Sequence, residues 1–544
     1  MKKIPIGVEN FKEIITNNYY YVDKTKFIEE ILNDGSKIKL FTRPRRFGKT
    51  LNMSMLKYFF DIENKEENKK IFKDLYIEKT EAFKEQGQYP VIFLSLKDLK
   101  ALTWEQMEKA IKSAISRLFS EYKYLLNDLD KFDTLTFENI LLKNTELEDL
   151  KEALKFLTRI LYEKYNKKVV VLIDEYDSPL VSAYINGYYE KAKDFFKTFY
   201  SSVLKDNNYL QMGVLTGIIR VIKAGIFSDL NNLRTYTILS DDYTDSYGLT
   251  EEEVEKSLKD YGIEQEISNV KDWYDGYKFG DSEVYNPWSI LNFLQDKELR
   301  AYWVNTSDNA LIYENLSVAN MDVFNCLEKL FEGKEIKKEI SPFFTFEELS
   351  KFDGIWQLMV YNGYLKLNQK LEDDEYLLTI PNYEIQTFFK KGFIDKYLIG
   401  SNYFNPIMRT LLEGNIDEFG RMLEEIFLIN TSFHDLKAES VYHTFLLGML
   451  IWLRDKYEVK SNGERGQGRY DILLLPLDKK KPAFVFEFKV SKTIKGLESK
   501  AEEALNQIKE KQYDIGIKES GIDKIYRIGL AFRGKKVKIK YELA

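Results

Sequence analysis

One run of eight residues constrains this chain more than any other: Arg43-Pro44-Arg45-Arg46-Phe47-Gly48-Lys49-Thr50. An apolar stretch (Ile38, Leu40, Phe41) leads into it, and a helix-like segment, Leu51 to Phe60, leaves it. Strand, tight loop, Gly-Lys-Thr and helix is the order in which a chain wraps backbone N–H groups around a triphosphate. Some 120 residues later, Val169 to Ile173 forms a second apolar strand that ends in Asp174-Glu175. Acids at the end of a buried strand are where Mg²⁺ and an attacking water sit in nucleotide hydrolysis. Either feature alone recurs by chance, as a stray tripeptide or an ordinary helix start. In this order, each after an apolar strand, they make nucleotide binding the leading expectation.

The residues then take roles by type. Gly48 permits close backbone approach, Lys49 reaches the β- and γ-phosphates, and Thr50 ligates Mg²⁺. Arg46 belongs to the same phosphate-facing loop. Asp174 holds the metal and Glu175 polarises the water. A further strand ends at Leu215-Thr216-Gly217, so Thr216 could sense the γ-phosphate. Arg220 could reach that phosphate in cis or from a neighbouring subunit, and the second option needs a homo-oligomer. Equally, Thr216 is a strand-end cap and Arg220 a surface charge. Arg43 stands where the G-x-x-x-x-G-K-[ST] pattern has its first glycine, and a Cβ there is expected to strain the start of the loop.

Composition narrows the chemistry. Of 544 residues only Cys326 is a cysteine and only His434 and His443 are histidines, so neither a disulfide framework nor a thiolate or histidine-rich metal centre is expected. Cys326, between Phe324 and Leu327, reads as a small buried hydrophobe. Any catalytic metal should be held by carboxylates, as suits Mg²⁺ or Mn²⁺. With 80 Lys and Arg against 87 Asp and Glu, the net charge of −7 argues against a uniformly basic nucleic-acid coat. No run of about 18 uncharged apolar residues occurs and the N-terminus lacks a signal-peptide core, so a soluble cytoplasmic protein without membrane contact is expected.

Length allows about three or four domains. Residues 1–245 alternate apolar strands with helical patterns, an α/β sheet domain whose strands are Lys37–Thr42, Pro90–Leu96, Val169–Ile173, Gln211–Leu215 and Tyr236–Leu239. Residues 246–310 read as a lid region: a capping box at Thr250–Glu253, a hairpin turning at Gly280-Asp281, and a helix opened by Pro287. Residues 311–428 are mostly helical. Within them Phe346–Tyr361 as helix, then strands Tyr364–Leu367 and Tyr376–Ile380, suggest a winged helix. Residues 429–544 return to an α/β pattern: a helix over 438–455, strands Tyr470–Leu475 and Phe484–Val490, a helix over 498–511, and strands Ile525–Phe532 and Val537–Tyr541.

Several N-terminal motifs resemble the AAA-ATPase-like family of bacterial proteins. They are Ile4-Pro5-Ile6-Gly7, Tyr21-Val22-Asp23-Lys24-Thr25, the loop 43–50, Asp174-Glu175-Tyr176-Asp177, Phe227–Leu233, Trp273-Tyr274-Asp275-Gly276-Tyr277 and Tyr285-Asn286-Pro287-Trp288. The resemblance runs to about residue 310 and implies an additional-strand P-loop ATPase with a lid, using ATP and Mg²⁺.

The C-terminal strand Phe484-Val485-Phe486-Glu487-Phe488-Lys489-Val490 carries a carboxylate and an ammonium on one face of an apolar strand. Desolvating them costs several kcal/mol unless they are paired or bind a metal. A turn at Asp478–Pro482 would fold the preceding strand back and bring Asp471 beside Glu487. Two carboxylates at one point make a Mg²⁺ site, and Lys489 would orient a water or offset charge on phosphorus. The competing reading is a structural Glu–Lys pair on an edge strand. The segment looks like the PD-(D/E)XK nuclease superfamily, which implies a restriction-endonuclease-like fold acting on DNA, with Asp471, Glu487 and Lys489 at the motif positions. Glu439 fits that superfamily's extra acid and Gln507 an accessory position. His443 reads as a core or supporting histidine, and Lys479–Lys481 and Lys535–Lys540 as solvated faces that could flank a DNA cleft. Three functions follow: an ATP-controlled, metal-dependent nuclease; an ATP switch or scaffold whose tail only binds nucleic acid or protein; or a nucleotide-binding protein that barely hydrolyses because of Arg43.

Overall fold

The computed structural model describes residues 1–219, 231–304, 312, 321–331, 333–342, 354–389, 401–429, 439–450, 453 and 456–544. The chain forms two compact units, one holding 1–312, 338–376 and 381–384, the other 313–337, 377–380 and 385–544.

The first unit is built on five parallel strands: β1 (Ile38–Thr42), β2 (Val91–Ser95), β3 (Val169–Asp174), β4 (Leu210–Gly217) and β5 (Leu233–Tyr236). Their order is β2-β3-β4-β1-β5. Every residue of β1 and β3 is buried, as expected of parallel strands covered on both faces by helices. β4 stands between the lysine-loop strand β1 and the acidic strand β3, which is the additional-strand arrangement of P-loop ATPases. The carboxyl ends of β1, β3 and β4 therefore face one crevice, where ligands of such sheets bind. The fifth strand lies earlier than expected. It pairs from Leu233 to Tyr236, and Thr237 to Ser240 form a turn closed by the Ser240 N–H on the Thr237 carbonyl.

Residues 249–296 form the expected helical layer with a hairpin. Thr250 and Glu253 make a reciprocal capping box at the start of Glu251–Asp260, worth about 1 kcal/mol. β6 (Tyr277–Phe279) and β7 (Ser282–Val284) pair across Gly280-Asp281. Gly276, at φ +97°, is required just before β6, because a Cβ there would lie 2.4 Å from the Pro381 carbonyl oxygen. Asn286 then caps the helix Pro287–Asp296 through the N–H groups of Trp288 and Ser289. Leu249, Val254, Leu258, Val270, Tyr274, Ile290 and Phe293 form this layer's own core, and Ile4, Tyr20 and Val22 of the N-terminal segment pack on it.

β8 (Ile336–Glu339) precedes the helix Gly354–Tyr361, after which come β9 (Lys366–Lys370) and β10 (Glu375–Thr379). A helix followed by two strands is present, the first of them two residues later than the expected Tyr364–Leu367, and β8 joins them in a three-stranded sheet of order β8-β10-β9. Residues 346–353 of the expected helix lie outside the described residues. Cys326, on the helix Met321–Phe331, is partly exposed and not the buried hydrophobe expected.

The second unit carries β11 (Tyr457–Ser461), β12 (Glu464–Arg465), β13 (Gly468–Arg469), β14 (Ile472–Pro476), β15 (Ala483–Val490), β16 (Ile525–Arg533) and β17 (Lys536–Leu543). A mixed sheet runs β11-β14-β15-β16-β17, and only the β15–β16 pair is parallel. A parallel pair needs a crossover, supplied by the helix Leu497–Glu510. That helix lies directly on β16, where a Cβ on Gly529 would meet the Ala501 carbonyl oxygen at 2.4 Å. Among the described residues no helix is long and apolar enough to cross a membrane.

Candidate functional site

The first site is a cavity of about 730 Å³ in the first unit. Gly48, at φ +83°, precedes the helix Lys49–Phe60, so the loop's N–H groups and the helix N-terminus open onto this space. Beneath them the strand ends interlock. Thr50 Oγ1 donates to Asp174 Oδ2 at 2.9 Å, and Thr216 Oγ1 donates to the other oxygen, Oδ1, at 2.5 Å. Asp174 is fully buried, and desolvation raises its carboxyl pKa, helped by the neighbouring Glu175 and opposed by these hydroxyls and Lys49.

Glu175 follows at φ +52°, in the left-handed region that non-glycine residues seldom adopt. Its N–H donates to Thr216 Oγ1 at 3.3 Å, and its carboxylate accepts from Ser178 Oγ at 3.0 Å. Lys49 is buried and folded back, with Nζ donating to the carbonyls of Arg43 (2.9 Å) and Pro44 (2.8 Å). Burial pulls its pKa down, while Glu175, Asp177 and Asp174 oppose the shift. The side chains Thr50 and Asp174 are hard oxygen donors in contact, a set that fits Mg²⁺.

Arg43 is not in the left-handed region that favours glycine, so the expected strain at the start of the loop is absent. Within the loop, Arg46 and Gly48 carry the positive φ values, +66° and +83°.

Glu9, Lys97, Asp177 and Trp288, to which sequence reasoning gave no role, also line the cavity beside Arg46. Arg46 stacks on Trp288 at 4.4 Å and lies 3.5 Å from Glu9, whose carboxylate also accepts from Lys97 at 2.7 Å. The Asn286 cap explains Trp288, since it sets that ring in the first turn of its helix. Asp177 accepts the N–H groups of Ile218 (2.8 Å) and Ile219 (2.9 Å), and burial lifts its pKa to about 6. Only the tertiary fold brings together Glu9, Arg46, Lys97 and Trp288. The motifs Asp174–Asp177 and Tyr285–Trp288 were the available signals for Asp177 and Trp288. Arg220 and Phe227–Leu230 lie outside the described residues.

The second site lies in the second unit. Ile472 pairs with Phe486 at the end of the β14–β15 ladder, and Asp471 and Glu487 are the next residue on each chain. Asp471 Oδ2 accepts the Phe488 N–H at 2.6 Å, which fixes the carboxylate beside β15. Glu487 is buried, and its Oε1 accepts from Lys489 Nζ at 2.9 Å and from the Gln507 amide. Gln507 also donates to Tyr513 Oη at 3.1 Å, a residue sequence reasoning passed over. His443 is a supporting histidine as expected, with Nε2 3.1 Å from the Asp471 carbonyl and 3.0 Å from Ser461 Oγ.

Glu439 begins the helix Glu439–Leu450, and its side chain lies outside the description. Among the described residues no group of three or more His, Cys, Asp or Glu is gathered to hold a metal. The candidate donors are the two carboxylates alone, and their oxygens suit Mg²⁺ or Mn²⁺. The lysine-rich strand β17 is not a bare basic strip, because Lys536 pairs with Glu424 and both Lys538 and Lys540 with Glu498.

Fold and sites thus define a P-loop ATPase-type sheet unit and a restriction-endonuclease-like sheet unit in one chain. Residues 5–227 match the family described as predicted AAA-ATPase, and residues 437–542 match the PD-(D/E)XK nuclease superfamily. The chain therefore combines an AAA-ATPase-like region with a PD-(D/E)XK superfamily region. A curated relative, described as an uncharacterized protein in the vnfD 5′ region of Azotobacter chroococcum mcd 1, is 25% identical over 410 residues, covering 73% of this chain and 71% of its own. The Aeropyrum pernix ORC2 protein, solved as ADPNP–ADP complexes, aligns with a TM-score of 0.24 and 9% identity, over 67% of this chain and 91% of its own.

Proposed function

We propose that this chain binds and hydrolyses ATP at the loop 43–50 and cleaves DNA phosphodiesters at Asp471, Glu487 and Lys489. The single observation that carries the nuclease reading is the Asp471 carboxylate held on the Phe488 N–H, one residue past Glu487, with Lys489 on the Glu487 carboxylate. A divalent ion held by Asp471 and Glu487 would polarise the phosphate and lower the pKa of a bound water. Lys489 would orient that water or offset charge developing on phosphorus, while Gln507 holds Glu487 in place. Glu439 is the candidate additional acid.

In the first unit, Lys49 would exchange the Arg43 and Pro44 carbonyls for the β- and γ-phosphates. Gly48 and Arg46 would line the phosphates, and Thr50 and Asp174 would hold Mg²⁺. Glu175 would polarise the attacking water, Thr216 would sense the γ-phosphate, and Arg220 would reach it in cis or from a neighbour in a homo-oligomer.

The test is incubation of purified protein with plasmid, linear and single-stranded DNA in Mg²⁺ or Mn²⁺, with and without ATP, beside Glu487→Ala and Lys49→Ala. The expected result is cleavage that disappears in the Glu487 variant, with ATP dependence that disappears in the Lys49 variant. ATP hydrolysis with no cleavage of any substrate would replace this reading with that of an ATP switch carrying a binding tail.

A further inference from the structure

Arg43, the residue that departs from the phosphate-loop pattern, is fully buried. Its Nη1 donates to the carbonyls of Thr42 (3.0 Å) and Tyr236 (2.9 Å), and Nη2 to that of Tyr243 (3.3 Å). The guanidinium lies 5.2 Å from the Tyr247 ring and 5.0 Å from the Phe279 ring of β6. Four residues on, Phe47 packs against the same hairpin, on Tyr277 at 5.0 Å and Phe279 at 5.2 Å.

Among the described residues no carboxylate pairs with Arg43, so its charge is offset by carbonyl dipoles and aromatic faces alone. Burial lowers its pKa to about 10, which leaves it charged at neutral pH. One accepting carbonyl belongs to Tyr243, held at φ +59°. An aromatic residue in that region is strained, and strain of this kind persists only where its surroundings over-determine it. Here Tyr243 is fixed by Phe41 at 4.9 Å, Tyr236 at 4.7 Å and its hydroxyl on Asp34 at 2.9 Å.

We propose that Arg43 is a positioning residue that clasps the start of the phosphate loop to the β6–β7 hairpin, so that nucleotide occupancy and hairpin position are coupled. The proposal rests on the nucleotide reading of the cavity. Lys49 must leave the Arg43 and Pro44 carbonyls to reach a phosphate. The first residues of the loop must then stay in place while Lys49 swings, and the Arg43 side chain supplies that anchor. A glycine at 43 would remove the clasp without relieving any strain, because the backbone there needs no glycine.

The two views of Arg43 predict opposite signs. If the arginine were a defect in the loop, Arg43→Gly would tighten nucleotide binding. As a clasp, its loss weakens binding of a fluorescent ATP analogue roughly tenfold, within the usual range of coupling between sites. Arg43→Lys, which keeps the charge but loses the planar fork, should fall between. Hydrogen exchange supplies a readout that a merely structural role would not move. Nucleotide should slow exchange in residues 277–284 of the wild type and do so far less in Arg43→Gly. Equal or tighter binding in Arg43→Gly with hairpin protection retained would overturn the proposal. If that variant does not fold, Phe279→Leu decides, since it leaves the loop's sequence unchanged while taking a ring face from Arg43 and a contact from Phe47; unchanged affinity and protection there would overturn it too. A wild type that binds no nucleotide would overturn the cavity reading first, and the coupling with it.

Discussion

The two candidate sites differ in what holds their lysines. Lys49 lies on a loop with two positive-φ residues and bonds to that loop's own carbonyls. Lys489 lies on strand β15, pairs there with Ala531 of β16 and already touches Glu487. A site on irregular backbone is assembled by its ligand, whereas one on laddered strands is set by the fold itself. The first unit is accordingly where nucleotide should cause movement, and the second is where chemistry should be ready beforehand.

The sharpest way to break this contrast is at Glu487. Glu487→Ala should lower metal-dependent DNA cleavage on the order of 10³-fold and leave ATP-analogue affinity unchanged, as nicking and binding assays would read. A matching loss of nucleotide affinity would mean the two sites are not independent. Next comes Lys49→Ala, expected to weaken ATP binding roughly 10- to 100-fold, the worth of a hydrogen bond to a charged group. Its melting temperature should also fall, because the side chain is the donor to the carbonyls of Arg43 and Pro44, both of them buried residues. A smaller effect is expected at Gln507, where Leu would remove the amide from Glu487 and lower Mn²⁺ affinity about tenfold. No change in calorimetry would show that β15 alone fixes the carboxylate.

The smallest effect concerns pH and belongs to the first unit. Glu384 is buried, accepting Ser289 Oγ and the Trp303 N–H, and desolvation raises its pKa from an ordinary 4.5 to about 7. The folded state thus binds this proton more tightly than the unfolded chain. The stabilisation is complete below pH 4.5 and is lost as pH rises through 7. Glu384→Gln should narrow the difference in melting temperature between pH 5 and pH 8, and an unchanged difference would assign the pH dependence elsewhere.

Much of this was legible because it is local. Strand, loop and helix around Gly48–Thr50, the acidic end of β3, the capping box at Thr250 and the Glu487–Lys489 strand all announce themselves within about ten residues. The β15–β16 crossover helix and Gln507's place on it also followed from pattern. What was not legible depended on pairing across long sequence distances. β5 begins at Leu233 because its register on β1 is set from Ile38 to Phe41, not by its own composition. Arg43 reads as an intruder in a glycine position until Tyr236, Tyr243 and Phe279 are seen around it. Strand β11 was missed although Tyr457, Val459 and Ser461 alternate with Glu458 and Lys460, a pattern of period two that sequence could have supplied.

The contrast between a preset and a ligand-assembled site is tested most directly by measuring Mn²⁺ binding calorimetrically, with and without ATP. The account predicts a site present without nucleotide, lost in Glu487→Gln and kept in Lys49→Ala, and a further site that appears only with ATP and is lost in Lys49→Ala. Nucleotide-free Mn²⁺ binding that survives Glu487→Gln, or C-terminal binding that requires ATP, would contradict it.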